Sequence, residues 1–146
     1  MNAAEPTAGP MRVQGACHCR AVRLTAEVQL SRVFVCHCTD CQVLTGSAFR
    51  VVVPVVPGSL QVQGAVKGYP RTADSGNVRW QYFCPECGTP MYAGTPDGAG
   101  LATVRVGVLQ ERALLQPTAQ LWRRSALPWV NVMDGVPACE QQELLG

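Results

Sequence analysis

Cysteine placement constrains this chain more than any other feature of its sequence. Seven of the eight cysteines fall into three short segments, ACHC at 16–19, CHCTDC at 36–41 and CPEC at 84–87. Cysteines one or two residues apart pair poorly with each other in disulfides, but they converge well on a metal ion. The sequence therefore predicts metal sites rather than a disulfide framework.

The composition predicts a single domain that is mainly β. The chain has 146 residues, of which 15% are charged, together with 14 glycines and 11 prolines. This composition is typical of short apolar segments separated by turns, so we expect antiparallel sheets with one or two short helical turns. We place the domain at 12–140, between a disordered tail at 1–11 and a carboxy-terminal tail at 141–146.

Charge and hydropathy argue against two classes of partner. The formal net charge is +2 and no basic stripe accompanies the cysteines, which disfavours a nucleic-acid zinc ribbon. The most apolar segments, such as 49–56 and 101–109, are much shorter than a bilayer crossing. The first twelve residues lack the apolar block of a secretory signal. We therefore expect a soluble protein of the cytoplasm, where thiols stay reduced.

The apolar pattern predicts short strands along most of the chain. Two strand pieces are expected between Val13 and Val28, and a helical turn at 38–46 has a possible cap in Thr39 or Asp40 and a stop at Gly46. Further strands are expected at 32–38, 48–56, 59–64, 67–71, 78–83, 89–95, 100–109 and 119–123.

The outer two cysteine segments predict one closed zinc site. In a strand, Cys17 and Cys19 would point to the same face, and CPECG adds a second chelating pair backed by a glycine. A structural zinc usually has four protein ligands. The predicted ligands, here called the cysteine quartet, are Cys17, Cys19, Cys84 and Cys87.

The middle segment predicts a second zinc that is coordinatively open. Cys36, Cys38 and Cys41, here called the cysteine trio, lie where a strand end turns into the short helix. A working zinc keeps one position for water or substrate, and three thiolates leave such a position. Spacing alone also permits the reverse assignment, in which CPECG serves the trio.

The remaining polar candidates near these segments have ordinary structural interpretations as well. His18 and His37 would project away from the cysteines beside them, so a hydrogen bond or packing is expected for each rather than metal binding. Cys139 is expected to be a spare thiol, buried or half-buried. Asp40 either caps the helix or orients a neighbouring group.

Four ordered motifs resemble the glutathione-dependent formaldehyde-activating enzyme family, to which centromere protein V is related. They are G-x-C-x-C at 15–19, C-H-C-x-x-C with T-G-S at 36–47, F-C-x-x-C-G at 83–88 and P-W-x-x-x-x-D-x-x-P at 128–137. The resemblance covers about residues 12–140. It implies a β-tent fold, a structural zinc on the quartet and a catalytic zinc on the trio.

The resemblance also implies carbon-sulfur lyase chemistry, in which glutathione and formaldehyde condense to S-(hydroxymethyl)glutathione or the adduct is released. Three thiolates make zinc a weak activator of water but favour a fourth, soft sulfur ligand. We therefore expect the trio to be catalytic and the partners to be a small thiol and a small aldehyde. Thr45, Gly46 and Ser47 would either donate to a developing alkoxide or end the helix. The candidates for binding glutathione carboxylates are Arg50, Arg71 and Arg79.

Two departures from the family pattern concern the substrate rather than the metal. GVLQER at 107–112 replaces a G-x-L-D-D-P stretch, and Gln120 replaces a histidine found in many relatives. They leave room for an alternative function, a non-catalytic protein-binding module held together by zinc.

Overall fold

The computed structural model describes residues 9–142, and within this range the chain is mainly β, as predicted. The predicted tails lie mostly on residues 1–8 and 143–146, which are outside the described residues. No helix within 9–142 is long and apolar enough to cross a membrane. The strands are β1 Met11–Ala16, β2 Arg23–Val28, β3 Phe34–Cys36, β4 Arg50–Pro54, β5 Gln61–Gln63, β6 Lys67–Thr72, β7 Val78–Phe83, β8 Pro90–Gly94, β9 Thr103–Arg105 and β10 Ala119–Leu121.

The described strands form two sheets. One has three strands in the order β1-β2-β5, and the other has seven in the order β10-β3-β4-β9-β8-β7-β6. Neighbouring strands run antiparallel except for β10 and β3, which pair in parallel. A long connection separates β3 from β10, so no hairpin constrains their relative direction.

The hydrophobic core lies between the two sheets. It contains fully buried side chains from the small sheet, such as Val13 and Val28, and from the large sheet, such as Val53 and Val104. Side chains alternate along a strand, so Arg50 and Val52 of β4 point away from this core. The outer face of the large sheet is therefore available for a polar site.

One α-helix, α1 at Thr39–Thr45, lies beside the middle cysteines. Its N-cap is Cys38 rather than the predicted Thr39 or Asp40, and the Cys38 sulfur accepts a hydrogen bond from the backbone N–H of Cys41 at 3.3 Å. The predicted stop is confirmed, because Gly46 takes the left-handed conformation with φ of 64°. Short 3-10 helices follow at 106–108, 112–114 and 123–125.

Candidate functional site

Two turns bring the cysteine quartet together, one between β1 and β2 of the small sheet and one between β7 and β8 of the large sheet. Cys17 and Cys19 do not continue β1 as predicted but lie in the turn before β2, where the backbone N–H of Arg20 donates to the Cys17 carbonyl at 3.0 Å. Arg20 itself has φ of 68°, which reverses the chain. Cys84 and Cys87 lie in the turn between β7 and β8. The prediction of a shared strand face was therefore wrong, and a turn brings the sulfurs of Cys17 and Cys19 together instead.

The geometry of the quartet fits a tetrahedral zinc. The sulfur of Cys19 is 3.6 Å from that of Cys17 and 3.7 Å from that of Cys84, and all four sulfurs lie within 4.8 Å of one another. Zn–S bonds of about 2.3 Å in a tetrahedron place the sulfurs about 3.8 Å apart. The backbone N–H of Val22 donates to the Cys17 sulfur at 3.2 Å, which favours the thiolate form. The residues present therefore fit the closed site that the sequence suggested.

The cysteine trio lies where β3 ends and α1 begins. Its three sulfurs also lie within 4.8 Å of one another, and no further cysteine, histidine or carboxylate of the described residues joins the group. A hydrogen bond from the Cys41 thiol and the charge of Arg50 lower the pKa of Cys36 to about 5, whereas the same bond raises the pKa of Cys41. Without a metal, Cys36 therefore ionises more easily than Cys41. A divalent cation would displace the remaining thiol protons and hold three thiolates with one position open.

His37 contacts the carboxy-terminal part of the chain. Its ring is 1% exposed, and its Nε2 donates to Oε1 of Gln120 at 2.8 Å. The backbone N–H of His37 donates to the carbonyl of Leu121 at 3.0 Å, while Nδ1 is buried without a partner. His18 is exposed. Gln120, one of the two departures from the family pattern, is therefore the hydrogen-bond partner of the His37 ring.

The three predicted arginines differ in their surroundings. Arg71 forms an ion pair with Asp40 at 2.6 Å, and Arg79 donates to the Leu101 carbonyl at 2.6 Å. Arg50 is the register partner of Cys36 across β3 and β4, so the two side chains lie on the same face of the sheet. Asp40 therefore forms its ion pair with Arg71 of β6 and does not cap the helix. Arg50 lies beside Cys36, and the charges of Cys38 and Cys41 also act on Arg71.

Sequence reasoning missed two residues at this face, Arg105 and Gln81. Arg105 of β9 pairs with Val52 and lies on the same face as Arg50, and both guanidinium groups donate to Oε1 of Gln81. Burial, and then the charge of Arg50, lower the pKa of Arg105 to about 9. The signal in the sequence was a charged residue inside the apolar strand TVRVGVL, at the alternating position that faces away from the core.

Other predicted side chains have structural roles or lie elsewhere. The hydroxyl of Thr45 donates to the Cys41 carbonyl at 2.7 Å, so it contributes to the helix end. Cys139 is exposed rather than buried as predicted, because its segment crosses the surface, and its thiol donates to the Gln141 carbonyl at 3.2 Å. Two tryptophans in the same carboxy-terminal part of the chain, Trp122 and Trp129, are also exposed, at 45% and 51%.

Comparison with known proteins places this arrangement in a family. Residues 12–125 match the model of the family described as glutathione-dependent formaldehyde-activating enzyme. A Schizosaccharomyces pombe protein named an uncharacterized lyase is 26% identical over 85 residues, which span 58% of this chain and 59% of the yeast protein. The crystal structure of a Rhodobacter sphaeroides protein has a similar fold, with a TM-score of 0.56 at 21% identity over 73% of this chain and 98% of that one. The chain belongs to the glutathione-dependent formaldehyde-activating enzyme family.

Proposed function

We propose that this protein is a zinc-dependent carbon-sulfur lyase that joins a small thiol such as glutathione to a small aldehyde such as formaldehyde, or reverses that step. The observation that carries the proposal is the trio, which provides three converging sulfurs and lacks a fourth side-chain ligand among residues 9–142. The family match and the name of the yeast relative support lyase chemistry. We place the protein in the cytoplasm, where such thiols are reduced.

In the proposed site, the two cysteine groups have different tasks. The quartet would hold a structural zinc between the sheets, and the trio would hold the second zinc. Bound by three thiolates, zinc would keep an added thiol in its nucleophilic thiolate form near neutral pH. This division explains why the chain has seven clustered cysteines rather than eight.

The protein residues around the trio position the reactants. The thiol sulfur forms a bond to the carbonyl carbon, the π electron pair moves to the carbonyl oxygen, and that oxygen takes up the proton lost by the thiol. Arg50, on the face that carries Cys36, provides positive charge near the oxygen as it becomes negative. It is also the predicted arginine best placed to bind a glutathione carboxylate. The same groups serve the reverse reaction.

The test is the rate of adduct formation above the uncatalysed rate, followed by nuclear magnetic resonance with ¹³C-formaldehyde and glutathione. We expect catalysis by the zinc-containing protein and its loss in Cys36→Ser. The matched control is Cys139→Ser, which changes an exposed cysteine outside both groups. If the protein binds zinc at the trio and the rate equals the uncatalysed rate for all thiols tried, the proposal is wrong.

The alternative function, a non-catalytic protein-binding module, is favoured by one feature of the surface. The carboxy-terminal segment exposes a run of apolar side chains, and their exposed fractions exceed half. They are Trp129, Val132, Met133 and Val136. Thiol-dependent turnover that is lost in Cys36→Ser while the fold is kept would exclude this alternative.

A further inference from the structure

Two buried arginines lie on the sheet face that carries the trio. Arg50 pairs with Cys36, and Arg105 pairs with Val52, two residues further along β4. Residues two apart in a strand point to the same side, so both guanidinium groups lie on the face of Cys36. Each arginine is only 7% exposed.

These arginines lack an acidic partner within the described part of the chain. Among residues 9–142 the ion pair formed is that of Arg71 with Asp40. Arg50 and Arg105 instead donate to the same neutral atom, Oε1 of Gln81, with an N–O distance of 3.0 Å for Arg50. The Nε atoms of both arginines are buried without any partner. A buried charge is costly unless it is paired. The anionic groups that the chain offers nearby are thiolates of the trio, and among residues 9–142 neither arginine donates a hydrogen bond to them, so this arrangement indicates a further anion.

A cavity next to the arginines has the size and lining for a small organic anion. Its volume is about 340 Å³, and its polar part is formed by Arg50, Gln81 and Arg105. Tyr69, Tyr82 and Phe83 contribute aromatic walls. Guanidinium groups match carboxylates with paired, nearly parallel hydrogen bonds, and buried sites exploit this fit.

We propose that Arg50 and Arg105, oriented by Gln81, bind the carboxylate of a small acidic substrate. The inference rests on the proposed function for the reaction and adds the class of reactant, in which the aldehyde or the thiol bears a carboxylate close to its reacting atom. Formaldehyde has no such group. In the competing explanation the arginines only offset the negative charge of metal-bound thiolates, and the site does not distinguish acidic from neutral reactants.

The test uses the zinc-containing protein and compares pairs of small probes, in which one member carries a carboxylate and the other a neutral group. Mercaptoacetate is matched with 2-mercaptoethanol, and glyoxylate with acetaldehyde, and each is titrated by calorimetry and as a reactant. We expect one acidic probe to bind at least about tenfold more tightly than its neutral match, in line with the usual strength of charge-assisted hydrogen bonds. The pair that shows the preference identifies whether the thiol or the aldehyde carries the carboxylate.

The variants test whether the arginines cause the preference. Arg105→Met keeps the apolar stem and should abolish the tenfold difference between the acidic probe and its neutral match, and Arg105→Lys should restore part of that difference. Arg23→Met is the matched control, since Arg23 is exposed on the small sheet and should retain the full preference. Zinc content and circular dichroism check that each variant is folded.

The wild-type comparison alone can overturn the proposal, whether or not the variants fold. Equal affinity for acidic and neutral probes in both pairs would show that the arginines only balance charge. A preference that persists in Arg105→Met would place the anion elsewhere. Either outcome leaves the proposed function intact if the neutral thiol and aldehyde still react faster with protein than without it, so failure of the two proposals can be told apart.

Discussion

Cys38 has two roles at a single position. Its sulfur belongs to the trio, and the same sulfur caps α1 by accepting the N–H of Cys41. Serine is a stronger cap than cysteine but a poor zinc ligand. The two roles can therefore be separated by one substitution.

Cys38→Ser should reduce the zinc content by one ion per chain and abolish the rate above the uncatalysed reaction, because the trio loses a ligand. The helix should remain, because the serine hydroxyl takes over the cap. Metal analysis and far-ultraviolet circular dichroism check both points. An unchanged zinc content would show that the trio does not hold the ion.

In the metal-free protein, Cys36 should be the reactive thiol of the trio. Its folded pKa of about 5 lies below the ordinary value, so the thiolate is already formed above that pH and protonates only as the pH falls through it. Alkylation of Cys36 by iodoacetamide should thus vary little from about pH 6 to pH 8, where an ordinary thiol gains about tenfold per unit. Peptide mass spectrometry measures this rate, and a tenfold rise per unit at Cys36 would contradict the prediction.

At the scale of single elements, α1 depends on the glycine that caps its carboxy-terminal end. Gly46 takes φ of 64°, and a Cβ added there would meet nothing within 4 Å. A substitution at this position therefore changes conformational strain without creating a clash. The helix holds Cys41, so its end affects the geometry of the trio.

Gly46→Ala should lower the free energy of unfolding by about 1 kcal/mol, because alanine is strained in the left-handed conformation. Gly107→Ala is the matched control, since Gly107 also has nothing within 4 Å of an added Cβ and its φ is not positive. Urea unfolding measures both. Equal stability of the two variants would mean that the helix end is not held in the left-handed conformation.

Local signals explain which elements were predictable from the sequence. The glycine stop of α1, the alternating strands and the mainly β class follow from neighbours in the chain, and the structure agrees with them. The N-cap of α1 was predicted wrongly because thiols are uncommon caps. Cys17 and Cys19 were assigned to a strand because nothing in the sequence shows that Arg20 adopts a positive φ and reverses the chain there. The link of Arg50 and Arg105 through Gln81 depends on four strands, β4, β9, β8 and β7, which alternation alone cannot place side by side.

For the whole molecule, the quartet matters because it joins the two sheets. Cys17 and Cys19 follow a strand of the small sheet, and Cys84 and Cys87 connect two strands of the large sheet. A metal bound at this point closes a loop of many residues and adds its binding free energy to folding. The trio, in contrast, lies within one short segment of the chain, from the end of β3 to the first turn of α1.

Cys87→Ser should therefore destabilise the protein far more than Cys38→Ser does. With free zinc at a thousand times the dissociation constant of the quartet, the loss is about 4 kcal/mol. Thermal unfolding of both variants, with and without a chelator, measures the difference. If the chelator lowers the melting temperature of the unaltered protein no more than that of Cys87→Ser, the quartet does not stabilise the fold through a metal.

The parallel pairing of β10 with β3 has a consequence for how the protein is made on the ribosome. Until residues 119–121 have left the exit tunnel, the β3 edge beside Cys36 has no neighbour, and a chain that stops early would present it to other chains. Gln42 likewise has no Ser125 carbonyl to contact before that point. Nascent chains that end before β10 should therefore be prone to aggregation, although every cysteine of both groups is already synthesised.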